Sequence, residues 1–124
     1  MKRNGGGFLL GTVLFAICLG CGSNLPDQGI TMLSPKANER IQGGSTYDIL
    51  WKVEVPESEF GTMVTIQVSR DGGKFWENVA ENIPANGKYA WKVPTGGSAQ
   101  WYKIRVFSQY RPKYRGTSEP FSVG

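Results

Sequence analysis

A chain of 124 residues carrying a formal charge of +4, with 40% hydrophobic residues, has room for one domain built around one core. It has no histidine, so the commonest general base and the commonest transition-metal ligand are both missing. Seventeen glycines and seven prolines beside four Trp, five Tyr and six Phe point to many turns between strands with large side chains, and away from a helical protein.

The chain begins with a short positive segment, Met1-Lys2-Arg3-Asn4, and an apolar run follows from Phe8 to Leu19. That run fits the apolar stretch of an export signal, about 7 to 15 residues, and is shorter than the ~20 needed to span a bilayer. Directly after it, Gly20 precedes Cys21, and this junction resembles a bacterial lipoprotein signal, with Cys18 standing where leucine is typical. The resemblance implies removal of residues 1–20, a diacylglyceryl group on the Cys21 thiol and an acylated new amino terminus. It also implies an outer-membrane location in a host that has one, because Gly22 stands where an aspartate would retain the protein at the inner membrane. The mature chain would hold one cysteine and no internal disulfide.

Loss of Lys2 and Arg3 lowers the bases from 14 to 12 against 10 acids, a mature charge of +2. The distribution is uneven. Residues 22–81 carry nine acids and five bases, whereas residues 82–118 carry seven bases (Lys88, Lys92, Lys103, Arg105, Arg111, Lys113 and Arg115) and no acid. Such clustering reads first as a solvated strand face with a basic loop, and second as the mark of an anionic partner.

Residues 22–29 are polar and turn-rich and are expected to form, with Cys21, a lipidated tether. From Ile30 the hydrophobic period becomes two. Strands are expected over residues 30–35, 46–53, 63–69, 75–80, 88–93, 100–108 and 117–123, with Tyr47, Ile49, Trp51 and Val53 on one face of the second and Tyr102, Ile104 and Val106 inward on the sixth. About seven strands with turn signals between them predict an all-β fold, an antiparallel immunoglobulin-like β-sandwich over residues 30–124.

Several stretches agree with that architecture in order and spacing: Leu33-Ser34-Pro35, residues 44–51, Val64-Thr65-Ile66, residues 87–94, residues 102–106 and residues 118–123. Together they resemble the immunoglobulin-like domain at the N-terminus of the fungal Knh/Kre cell-wall family, also found in secreted bacterial proteins. The resemblance implies the fold and an association with cell-wall glucan in the fungal members. It supplies no binding residues. A second stretch, residues 69–76, resembles one Asp-box hairpin of sialidase-type propellers, with Phe75 in place of threonine. A propeller needs at least four blades, so a single copy reads as a structural hairpin with Asp71 as turn former and Trp76 as packing.

The functional candidates are outward aromatics beside bases. Trp101, Lys103, Arg105 and Phe107 alternate on one strand face, and Tyr110, Arg111, Lys113, Tyr114 and Arg115 follow in the next loop. Exposed aromatics next to donors stack on sugar rings or anchor protein interfaces. Glu54, Glu57 and Glu59 lie on a Pro-containing loop and read as solvating charges, not as paired catalytic carboxylates. No cofactor, metal or catalytic set is expected, and nucleic acid is not an expected partner. The expected role is a non-catalytic, lipid-anchored envelope module contacting another envelope protein. The alternatives are a module for wall or capsule polysaccharide and, as a minor one, a glycan-active enzyme fragment.

Overall fold

The computed structural model describes residues 26–95 and 99–124. The signal segment, the candidate lipidation residue Cys21 and residues 96–98 lie outside the described residues.

Among the described residues nine strands and one short helix follow in order: β1 (Ile30–Ser34), β2 (Arg40–Ile41), β3 (Thr46–Val53), α1 (Glu57–Phe60), β4 (Met63–Ser69), β5 (Glu77–Pro84), β6 (Lys88–Lys92), β7 (Ala99–Ser108), β8 (Arg115–Thr117) and β9 (Phe121–Val123). They form two sheets. One runs β1-β3-β6, the other runs β2-β9-β7-β4-β5 with β8 also beside β7. All pairings are antiparallel except β2 with β9. The fold is an immunoglobulin-like β-sandwich.

The period-two pattern explains which face each strand buries. In β7, Tyr102, Ile104, Val106 and Ser108 are buried while the residues between them face outward. On the opposing sheet Ile49, Trp51 and Trp91 point back at them. Trp91, Tyr102 and Phe121 form the centre, with ring centroids 5.8 to 6.3 Å apart in tilted and edge-on arrangements. Because Trp91 comes from one sheet and the other two from its partner, this cluster joins the layers.

Three expectations are corrected. The return strand placed over residues 75–80 is β5, which starts at Glu77 and runs to Pro84; Phe75 is 77% exposed in the connection. Asp71 holds that connection by accepting backbone N–H groups from both Lys74 and Phe75 at 3.0 Å, which leaves Phe75 outside the ladder. The last strand divides into β8 and β9, separated by residues 118–120, of which Ser118 accepts at its hydroxyl from Ile104 N at 2.9 Å. The acidic loop after β3 contains α1, whose Phe60 is 1% exposed and anchors it in the core.

Asp27 and Gln28, just ahead of β1, also bond to β8. Gln28 and Arg115 exchange backbone hydrogen bonds of 3.0 and 2.9 Å, and the Asp27 carboxylate accepts from Thr117 N and Oγ1. Residues 27–29, read from sequence as tether, are therefore pinned along β8.

Candidate binding surface

The outward side chains of β7 lie on the outer face of the larger sheet. Trp101, at one end, is 61% exposed. Its carbonyl accepts from Gly72 N at 2.8 Å, so the β4–β5 connection holds its backbone in place. Further along, the Arg105 guanidinium lies 4.1 Å from the Trp76 ring and donates to Gln67 Oε1 through Nε and Nη2. Burial, and then the like charge of Arg115, pull the Arg105 pKa below its ordinary value, with Asp27 partly offsetting them. Phe107 is half-buried, with the Arg115 guanidinium 5.8 Å from its ring. The middle of the strip is thus a ladder of stacked cations and aromatics, and Lys103 and Trp101 form its open end.

The expected loop cluster is divided. Tyr110 is 64% exposed, with the Arg111 guanidinium over its ring. Lys113 is exposed and its Nζ lies 5.1 Å from the Tyr114 ring. Tyr114 itself does not belong to the surface: it is 8% exposed, stacks on Phe60 at 6.1 Å and donates its hydroxyl to Glu59 Oε1. That bond raises the Tyr114 pKa. An aromatic in a loop looks exposed in the sequence, but the 109–114 turn folds it under, because Ser108 Oγ accepts Arg111 N and Ser108 N donates to Tyr114 O.

Trp101 and Tyr110 therefore lie at opposite ends of a strand ten residues long, roughly 30 Å apart at about 3.4 Å per residue. Each end has a hollow. Beside Trp101 is a groove of about 400 Å³ that Asn38, Arg40, Gln100 and Ser122 also line. Beside Tyr110 is a more open one of about 460 Å³ with Met63 and Gln109. The groove was invisible in the sequence because it depends on β2, a two-residue strand with no periodic signal.

The acids after β3 do not converge. Glu54 accepts from Thr31 Oγ1, Glu59 from Tyr114, and Glu57 is the only acid lining its hollow. Among the described residues no group of three or more Cys, Asp or Glu gathers as metal ligands would.

Asp71 performs the structural role expected of it. Its carboxyl is held below the usual range, first by Phe75 N–H, then by the Ser69 hydroxyl, with Lys74 N–H adding to them. A carboxyl whose folded pKa is depressed contributes stability above its unfolded value near pH ~4, and this is lost as pH falls through the folded value. Asp71→Asn should consequently lose less of its Tm than the wild type between about pH 5 and pH 2. Parallel Tm curves for the two proteins would contradict this assignment.

Residues 34–123 match the family described as the Kre9/KNH-like N-terminal Ig-like domain. Among solved structures, the chain is similar to fibronectin(III)-like modules of Clostridium thermocellum CbhA, with 19% identity, a TM-score of 0.44, and 76% of this chain and 91% of that one covered. It is also similar to extracellular domains 3-5 of Drosophila OTK, with 14% identity and a TM-score of 0.44, covering 81% of this chain and 37% of that one. No curated protein matches the chain.

Proposed function

Since this chain belongs to the family of Kre9/KNH-like N-terminal Ig-like domains, we propose that it is a non-catalytic binding module of the cell envelope. It is held to a membrane, the outer one where the host has one, by acyl chains on Cys21, and it takes an envelope polysaccharide on the Trp101 end of its larger sheet. Two or more acyl chains hold a protein on a bilayer where one barely does. The observation that carries the ligand class is an indole 61% exposed at the edge of a groove of about 400 Å³. That volume falls within the ~300–1,000 Å³ of small-ligand sites, and a large exposed aromatic is the surface on which a sugar ring stacks. The lack of convergence among Glu54, Glu57 and Glu59 favours binding over hydrolysis.

Contact with another envelope protein is a second reading, favoured at the opposite end by Tyr110 and Met63, which are 64% and 39% exposed around one shallow hollow. Tyrosine and arginine at such a site suit a protein interface.

All strands and core residues among the described residues lie within residues 27–124, so a fragment of residues 22–124 contains the described fold. Applied to a panel of immobilised wall and capsule polysaccharides, this fragment should be retained on at least one, and Trp101→Ala should abolish retention with an unchanged Tm. Retention on none of them would retire the polysaccharide reading. In cell fractionation the native protein should follow the membranes and Cys21→Ser the soluble fraction; equal release of both would refute the anchor.

A further inference from the structure

The groove beside Trp101 has a charge and a shape that narrow the ligand. Arg40 pairs with Ser122 in the parallel β2–β9 ladder. Their chain neighbours Ile41, Phe121 and Val123 are buried, so Arg40 and Ser122 face outward on the same side as Trp101. The order across the sheet is β2, β9, β7, which places the short Ser122 side chain between two long ones. Adjacent strands lie about 4.8 Å apart, so the Arg40 and Trp101 backbones stand roughly 10 Å apart. Ser122 is the floor of a trough with a guanidinium wall and an indole wall.

A second feature shapes this place. Between β7 and β9 the register passes from Ala99 opposite Val123 to Tyr102 opposite Phe121. Three steps on β7 therefore match two on β9, so β7 carries one extra residue at Gln100–Trp101. Bulges of this kind re-aim side chains and interrupt the ladder next to binding sites. Here the bulge borders the groove, and the bond from Gly72 N to Trp101 O fixes its geometry.

The walls carry positive charge, with Gly124 lining the same groove. Among the described residues neither Arg40 nor Lys103 has a carboxylate within salt-bridge distance. Glu39, the chain neighbour of Arg40, accepts from Lys36 N and the Tyr47 hydroxyl. Lys103 is the next outward residue after Trp101 on β7. A sugar ring lying on the indole would thus have one cation across the trough and another along the strand.

We propose that the Arg40–Ser122–Trp101 trough binds a carboxylated sugar unit of an acidic polysaccharide, its ring on Trp101 and its carboxylate on Arg40. This rests on the polysaccharide reading above and assigns its chemical class. Charge-assisted hydrogen bonds from a guanidinium to a carboxylate are the stronger and more directional kind, so Arg40 determines which polymers are held and Trp101 whether any is.

The test is affinity electrophoresis of the 22–124 fragment in gels containing polygalacturonate, neutral dextran or poly-glutamate. The expected result is retardation by polygalacturonate at least tenfold stronger than by either control, weakening as salt is raised because exposed charges are screened within about 8 Å at physiological ionic strength. Arg40→Gln should reduce retardation by polygalacturonate about tenfold and Trp101→Ala should remove it, both with unchanged Tm. Wild-type retardation in Arg40→Gln, or equal retardation by poly-glutamate, overturns the carboxylated-sugar assignment. Preference for dextran overturns it too but leaves the polysaccharide reading standing. Retardation by neither saccharide polymer, with none on the wider panel, removes both.

Discussion

Trp91→Ala should destabilise the domain by about 3–5 kcal/mol, the usual cost of removing a large aromatic from a packed core. Native domains are stable by only about 5–15 kcal/mol, so a large share of the folded population would be lost. The reason lies in what the indole touches. Trp91 is 3% exposed, and its ring meets Tyr102 at 6.3 Å and Phe121 edge-on at 6.1 Å. Truncation would leave a hole where the two sheets meet, flanked by two rings that the β7 and β9 backbones prevent from closing in. Urea denaturation measures this: the midpoint should fall sharply at nearly constant slope. Trp101→Ala is the internal comparison, since its exposed indole should change stability by no more than about 0.5 kcal/mol. Similar midpoints for the two variants would refute the assignment of Trp91 to the centre of the core.

Gly87→Ala is expected to cost at least about 2 kcal/mol, for two reasons that add. Gly87 has φ +89, a conformation that costs a side-chain-bearing residue about 1–3 kcal/mol. A Cβ at this position would also lie 2.8 Å from the Trp51 carbonyl oxygen, a backbone atom that cannot swing aside. The two residues are already bonded, Trp51 N donating to Gly87 O at 3.0 Å, so relieving the contact would pull apart the turn between β5 and β6 from β3. Gly72→Ala separates the causes. It shares a positive φ of 81, yet its Cβ would meet nothing closer than 4.0 Å. Gly87→Ala should therefore have the lower Tm by several degrees, since about 1 kcal/mol shifts a domain of this size by roughly 4–8 °C. Equal Tm values would mean that the steric contact relaxes freely.

The comparison of Trp101 with Tyr114 shows what could be read from the chain. Strand β7 was legible because Tyr102, Ile104 and Val106 alternate with Trp101, Lys103, Arg105 and Phe107, and period two assigns each set to one face whatever lies beyond it. Tyr114 carries no such periodic signal. Its burial depends on Phe60 and Glu59, more than 50 residues earlier in the chain. The same limit applies to Ile41, which is 3% exposed yet belongs to a strand too short to show a pattern. Partners distant in sequence leave no local trace, so the sequence placed Tyr114 on the surface and passed over Arg40 as a binding residue.

Local chemistry was enough for the all-β architecture, the inward faces of the long strands and the turn-forming role of Asp71, because alternation and turn preference act within a few residues. Tertiary structure decided the rest. It divided the aromatic-basic strip into two ends of β7, covered Phe107 with Arg115, buried Tyr114, and set Arg40 opposite Trp101 across Ser122. That last arrangement requires three strands far apart in the chain to lie side by side, together with one extra residue in β7, and hydrogen-bond register between distant segments is a property of the folded sheet alone.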